Sequence, residues 1–541
     1  MSAIIVCVNN SLKYDMRVLR QAETFSEVFD KVIVCARPTP DRTEHFQAEN
    51  VEWLWFDGEG IKEKKRSERI RGLAEKYGLY EEIASFAPML TDNSYEAYEG
   101  GVVVPGSIES EMEIQELLMS HSRWDEVREG IPAEADDEEQ LYWIRHNLDL
   151  MLEWADFIAG READVIYCND FDTLLCGVAH KKIHGSRLVY DEHDLYGDAF
   201  PGLFPRMYRY FIVLFEYAFL GYADAVISVS ESATEWVAET YGLVSKPMFV
   251  PNCKDAEDLP PAADRDTDSP TRLYFSGLAT EDKGLEKIIE AVRGRDDAVL
   301  NLRCLESEYV SQLRESANRD QSGLGGKVVF LEPVPPQDVV KAAHADGDVG
   351  LTILGGPSSV GTRNTITNKL IECLTAGLPV IVSAEMRDQS RIVKEYNAGF
   401  VIGGDIAGGI GQILDTIKKD PAILKELSEN ARKASQELFR WETYRDRFVD
   451  LVTGENEWAE KDGGNKQKEL SCDELKAELA LRKKISFLIL EDRRGAARQL
   501  ADMEAEKSEV EKELAKMASS KAWRIGRLFT SPARILARKG R

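Results

Sequence analysis

Short runs of β-branched and other apolar residues recur along the chain, separated by stretches of helical periodicity, and this repeated alternation restricts the fold more than any other feature. The first set reads AIIVCV (3–8), KVIVCA (31–36), VEWLWF (51–56), DVIYC (164–168), RLVYD (187–191), AVISVS (225–230) and MFVPN (248–252). Continuous apolar strands joined through helices predict a parallel sheet covered on both faces. Between residues 58 and 150 the rhythm breaks into an acidic, mostly helical pattern, with PAEADDEEQ its most charged point, which reads as an insertion on the first domain. DAEDLPPAADRDTDSP (255–270) is a Pro- and Asp-rich linker, and the alternation restarts after it with RLYFSG, AVLNLRCL, KVVFLEP, DVGLTIL, PVIVS and GFVI. Two such halves predict an α/β protein of two doubly wound domains, at 1–257 and 271–418 around a linker at 258–270, with helices at 419–455 returning toward the first half. Ligands of such sheets sit at the carboxyl ends of the strands, so the cleft between the halves is the expected site.

The 541 residues suffice for two ordinary cores, because single cores stop growing at roughly 250–300 residues. A formal net charge of −27 excludes nucleic acid as the principal partner, since phosphate backbones are bound by Lys and Arg. Eight scattered cysteines, with no CxxC pair and no His at zinc spacing, predict reduced buried thiols in a cytoplasmic protein. The start, MSAIIVCVNNSLKYD, reads as a first strand and not as a signal peptide. The longest apolar run, YFIVLFEYAFLGY (210–222), contains Glu216 and falls short of the roughly 20 residues that span a bilayer. After residue 454 the pattern changes. Leu500, Met503, Val510, Leu514 and Met517 fall at alternating three- and four-residue steps, with Lys507 in the polar slot, as in a coiled-coil seam within 466–520 or the buried stripe of a single amphipathic helix. A coil there predicts a homodimer. Residues 521–541 hold seven Lys or Arg and no acid, interleaved with Trp523, Ile525, Leu528, Phe529, Ile535 and Leu536. That mixture suits an anionic membrane surface, and equally the protein's own acidic body, so a peripheral position at the inner membrane face is one expectation.

Two motifs in the second half carry chemistry. YFSGLATEDKGLEKIIEAV (274–292) is a strand, a turn with Gly277, and then Lys283 and Gly284 opening a helix; a cation beside free helix amides is a place for a diphosphate. In NTITNKLIECLTAGLPVIVS (364–383), Thr367 or Asn368 caps a helix, Leu370, Ile371 and Leu374 face the core, Gly377 ends it and Pro379 starts the next strand. Glu372 then lies on the flank of the first turns, where it either faces water or reaches a sugar hydroxyl. In the first half, His193 in YDEHD stands at a strand end, with Asp191 or Asp194 able to orient it. Asp15 and Arg17 follow the first strand, where they bind an acceptor or cap the next helix. NDFD (169–172) contains a DxD, but so do Asp264/Asp266 and Asp346/Asp348 in this Asp-rich chain, and no metal site is expected from it.

These stretches resemble the group-1 glycosyltransferases with the GT-B fold. NKLIECLTAGLPVIVS is similar to the family's donor-site helix and strand, which implies that Glu372 binds the nucleotide ribose; GLATEDKGLEKIIEA is similar to its phosphate-binding turn, which places Gly277 and Lys283 at the donor diphosphate. VNNSLKYDMRVLRQA, DVIYCNDFDTLLCG, RLVYDEHDLYGD and ADAVISVSE resemble the first domain in the right order, so the likeness covers roughly residues 1–57 and 160–450. On the acceptor side it implies His193, with Asp15, Arg17, Asp170 and Asp191 around it. Two departures stand out: many members carry a further Glu where this chain has Asn364, and an Arg where Leu278 stands. Arg363, Asn364 or Asn368 then substitute for the missing Glu, and Lys369 or Arg363 supplies a second cation for the leaving diphosphate. The resemblance implies a retaining glycosyltransferase of cell-surface polysaccharide synthesis. It would use a nucleotide-diphosphate sugar as donor, a glycan or lipid-linked acceptor, and neither cofactor nor metal. A nucleotide-sugar epimerase of the same fold and a non-catalytic scaffold acting through the coil are the rival expectations.

Overall fold

The computed structural model describes residues 2–12, 15–38, 48–58, 66–86, 137–196, 206–243, 245–254, 269–319, 327–355 and 360–455. The coiled-coil and basic-tail expectations, the linker Asp264/Asp266 pair and most of the acidic insertion lie outside these residues. Among the described residues, thirteen strands form two wholly parallel sheets. The first joins β1 (Ala3–Val8), β2 (Lys31–Ala36), β3 (Val51–Trp55), β4 (Val165–Asn169), β5 (Arg187–Glu192), β6 (Ala225–Ser228) and β7 (Met248–Phe249) in the order β3-β2-β1-β4-β5-β6-β7. The second joins β8 (Thr271–Gly277), β9 (Ala298–Cys304), β10 (Val328–Leu331), β11 (Val349–Thr352), β12 (Val380–Ser383) and β13 (Gly399–Ile402) in the order β10-β9-β8-β11-β12-β13. Both are therefore doubly wound, with the direction of winding reversing beside β1/β4 and beside β8/β11. A crevice opens at the carboxyl edge at such a reversal.

Burial follows the apolar runs. Every residue of β4 and of β12 is buried, as a strand covered on both faces requires. Ile4, Val6, Val34, Tyr167 and Val189 pack with Phe25 in the first core, and Leu273, Phe275, Leu300, Leu351 and Ile381 in a core of the second domain. The run at 210–222 is the end of a helix over Arg206–Phe219 followed by a short 3-10 turn, and among the described residues no helix is long and apolar enough to cross a membrane. Within the 58–150 region the described parts are helices Arg66–Lys76 and Tyr80–Phe86 and the start of a helix over Asp137–Ile158, which continues past residue 150 into the first domain. Arg69 joins two of these helices by reaching Asp149 (3.2 Å) and Glu153 (2.8 Å).

The chain crosses between the domains twice. After β7 it leaves the first domain through residues 250–254. It then returns after the Ile423–Leu438 helix, when Trp441 donates to the Thr24 hydroxyl (3.0 Å) and the Arg445–Thr453 helix buries Phe448 against Phe25, ring centroids 5.5 Å apart. Burying one such side chain contributes about 1.5–3 kcal/mol, which fastens the last described helix to the first core.

Candidate active site

At the carboxyl edge of the first sheet, charged groups cluster around Asp191, at the penultimate position of β5. Its carboxylate, fully buried, accepts from Arg17 Nε (2.9 Å) and Nη2 (2.7 Å), Gln21 Nε2 (2.6 Å), Tyr167 Oη (2.7 Å) and His193 Nε2 (3.3 Å). Burial alone would raise its pKa, but the Arg17 charge, then His193, outweigh burial and hold the carboxyl well below the usual range. The Arg17 guanidinium forms a bidentate pair with it and also donates to the Val250 carbonyl (2.8 Å). Asp191 and Arg17 thus pair with each other, and Asp191 also meets His193. Asp15 caps the Met16–Val28 helix by accepting from the Val18 N–H (3.1 Å), the second of the two roles its position allowed.

His193 lies between two carboxylates, with Nε2 on Asp191 and Nδ1 3.5 Å from Asp170 Oδ2. Burial works against its charge, yet Asp170 and Asp191 raise its pKa to about 9, so the ring is an imidazolium at neutral pH. The orienting partners are Asp170 and Asp191, where the sequence offered Asp191 or Asp194. Asp170 adopts φ 64°, ψ 164°, a backbone region that is essentially glycine's, at a strain of about 1–3 kcal/mol. Its N–H donates to the Asp191 carbonyl (2.9 Å) and its carboxylate accepts from the His193 N–H (2.9 Å), and together these impose the conformation. Burial pushes the Asp170 carboxyl up to about 7 and that of Asp172 to about 6. Asp172, the other acid of the DxD, accepts from Asn9 (2.7 Å), while Asp346 and Asp348 pair with Arg303 and Arg272. Among the described residues no group of three or more His, Cys, Asp or Glu side chains is placed to hold a metal ion.

On the second sheet, β8 ends at Gly277 with φ 100°, and a Cβ there would lie 3.5 Å from Lys369 Nζ. The expected helix start at Lys283 is instead a 3-10 turn, Glu281–Lys283, followed by Gly284 in the left-handed region and the helix Leu285–Val292. Lys283 pairs with Asp282 (2.5 Å). Lys369 makes no ion pair among the described residues; its ammonium sits over the Phe275 ring at 5.1 Å, and burial, then the Lys283 charge, push its pKa down to about 8. Gly284 touches Gly355, in the loop after β11, so closely that a Cβ on Gly355 would stand 2.3 Å from the Gly284 Cα. The sequence reading missed Gly355, although the Gly-Gly-Pro after a strand is a sign of close backbone approach.

Thr367 caps the Asn368–Thr375 helix, accepting from the Leu370 N–H (3.4 Å), and Gly377 (φ 75°) follows its end. Glu372 on this helix is half-buried, and its Oε1 pairs with Lys254 of the crossing segment (3.0 Å). Asn368 is exposed and accepts from Asn252 Nδ2 (3.0 Å). Arg363 is half-buried in the short Val360–Asn364 helix, which also carries Asn364.

The two halves meet at Asn364. Its carbonyl accepts from the hydroxyls of Ser230 and Ser232, at the start of the Glu231–Tyr241 helix, and Asp388 accepts from the Ser232 N–H (2.8 Å) and hydroxyl (2.5 Å). Beside this contact lies a pocket lined by His193, Asp194 and Leu195 of the first domain and by Gly361, Asn364 and Thr365 of the second. The Asn364 amide is buried, and neither its oxygen nor its nitrogen has a partner among the described residues. A buried amide with nothing to bond is rare.

Two doubly wound domains facing each other across such a cleft define a GT-B transferase. The family described as Glycosyltransferase Family 4 matches residues 125–258, and that described as Glycosyl transferases group 1 matches residues 256–434. Together these matches take in more than half of the chain, which belongs to the group-1 glycosyltransferases. Among solved structures, the sucrose-phosphate synthase from Thermosynechococcus elongatus is similar at 16% identity over 84% of this chain and 99% of that one, with a TM-score of 0.54. Anabaena HepE in complex with UDP-glucose is similar at 14% identity over 84% of this chain and 100% of that one (TM-score 0.51), and TarM at 10% over 84% and 99% (TM-score 0.51). At these identities the likeness concerns the fold. No curated protein matches the sequence.

Proposed function

We propose that this enzyme transfers a sugar from a nucleoside-diphosphate donor to a hydroxyl of a glycan or lipid-linked acceptor, with retention of anomeric configuration and without a metal ion. The observation that carries the reading is the interdomain pocket in which His193 of one domain lines the same space as Asn364 from the other, whose buried amide has no partner among the described residues. The donor sugar's hydroxyls satisfy that amide. Its diphosphate lies at Gly277, where Lys369 makes no ion pair among the described residues and Lys283 adds a second cation. In the reaction the acceptor oxygen forms a bond to the anomeric carbon on the face the diphosphate leaves, and the bond from that carbon to the phosphate oxygen breaks. The acceptor proton passes to the departing phosphate, and the two lysines and the N–H groups of the Asn368–Thr375 helix hold the developing negative charge. His193, already protonated, is unsuited to act as the base; its 3.5 Å separation from Asp170 is too long for a strong hydrogen bond, which leaves the Nδ1–H to turn toward a sugar hydroxyl. Glu372 accepts from the ribose. The description of HepE as bound to UDP-glucose supports a nucleotide sugar as donor. On this reading the enzyme serves cell-surface polysaccharide synthesis in the cytoplasm, dimerises through 466–520 and is held at the inner membrane face by 521–541.

Incubation with UDP-, GDP- and ADP-sugars in the presence of EDTA, following release of the nucleoside diphosphate, tests the chemistry. One donor is expected to be consumed, the product to keep the donor's anomeric configuration, and Asn364→Ala to slow release by about a hundredfold, the loss of a few kcal/mol of sugar binding in the transition state. Isomerisation of the donor without nucleotide release contradicts transfer and identifies an epimerase.

A further inference from the structure

We propose that Lys254 is a positioning residue of the donor site, which holds the Glu372 carboxylate in place for the nucleotide and ties it to the segment that links the domains. The inference rests on the reading of Glu372 as the nucleotide ribose acceptor. Lys254 belongs to no motif of the second domain; it lies in the crossing that follows β7, in PNCKD. Its Nζ is 3.0 Å from Glu372 Oε1, with about a fifth of the lysine side chain and a seventh of the glutamate exposed, so water screens the pair only in part. The carboxylate has a second oxygen and further lone pairs for hydroxyl donors once one oxygen is taken by the ammonium.

The backbone that carries that ammonium is held at three points. Arg17 donates to the Val250 carbonyl (2.8 Å), Arg20 donates to the Cys253 carbonyl (2.8 Å), and the Lys254 N–H donates to the Phe439 carbonyl of the returning segment (3.0 Å). Both crossings are therefore bound to one another at Lys254. Asn252, two residues earlier, makes a second bond from the same segment to the donor helix through Asn368. A side chain that starts from a backbone held this way has less freedom to lose in orienting Glu372, which is how a supporting group improves binding without touching the ligand. The same segment is the route by which Arg17, and through it Asp191 and His193, is joined to the donor helix.

The test is a double-mutant cycle on nucleotide binding, with UDP, GDP and ADP titrated calorimetrically into the full chain. Lys254→Met is expected to weaken the bound nucleotide about tenfold, Lys254→Arg to restore most of the loss, and Lys254→Met added to Glu372→Ala to cause no further loss. A tenfold loss that persists in the Glu372→Ala background shows that Lys254 acts on its own and overturns the proposal. Unchanged or tighter binding by Lys254→Met overturns it too, because the pair then merely competes with the nucleotide. If Glu372→Ala itself binds as well as the natural protein, the ribose assignment has failed, a result distinct from failure of the Lys254 role.

Discussion

Replacing Lys369 with Met should make the ligand-free protein more stable and its donor site weaker. The pKa of Lys369 falls to about 8 from an ordinary 10.5, because burial and the neighbouring Lys283 oppose its charge. That difference corresponds to about 3 kcal/mol by which the folded state is penalised for keeping the ammonium at neutral pH. The sign follows from proton counting. Below pH 8 the residue is charged in both folded and unfolded chains and the full penalty applies; between pH 8 and 10.5 the unfolded chain holds more protons, so stability rises with pH until the penalty vanishes. Met fills similar space without charge, so Lys369→Met is expected to raise the unfolding free energy by up to about 3 kcal/mol at pH 7 and by little near pH 10, as read from urea denaturation. The same variant should bind its nucleoside diphosphate about ten- to a hundredfold more weakly, the loss of one charged contact worth roughly 1.5–3 kcal/mol. Destabilisation at pH 7, or a gain that does not shrink with rising pH, refutes the view of Lys369 as a cation kept in place for an anion.

Asp191→Asn leaves the buried Arg17 guanidinium without its countercharge and is expected to lower the unfolding free energy by about 3–5 kcal/mol; a loss under about 1 kcal/mol in denaturant titration contradicts the buried pair. The imidazole of His193 should titrate near pH 9 by NMR, and because its pKa is raised, its stabilising contribution is complete below pH 6.5 and fades as pH climbs to about 9. A ring that deprotonates near 6.5 contradicts the clamp by Asp170 and Asp191. Gly355→Ala, whose Cβ would meet the Gly284 Cα at 2.3 Å, forces the phosphate turn and the loop after β11 apart, and nucleotide affinity should fall about tenfold or more in a calorimetric titration. Affinity within about twofold of the natural protein would show that the turn does not carry the diphosphate.

Much of this architecture is legible in the sequence because parallel strands are buried on both faces and so read as unbroken apolar runs. The stretch at 31–36 has the expected ends, and 51–56 and 164–168 differ from the observed strands by a single residue at one or both ends. The two-residue β7 is shorter than its apolar run, since MFVPN runs out of the sheet into the domain crossing. Local chemistry is equally readable: Thr367 as a cap and Gly377 just past the helix end follow from residue type alone. The pairings that build the cleft are not. Arg17 and Asp191 are 174 positions apart, brought together only when β1, β4 and β5 align, and Lys254 meets Glu372 only once both domains have folded. Nor does composition reveal that Asp170 occupies a glycine-like conformation, which its neighbours on β5 impose.

The most direct test of the central claim is calorimetric titration of UDP, GDP and ADP into the natural protein and into Glu372→Ala. One nucleotide is expected to bind, and the variant to lose about ten- to a hundredfold of that affinity, the value of one charged hydrogen bond. No binding by any of the three, or equal binding by the variant, contradicts a donor site built on the Asn368–Thr375 helix.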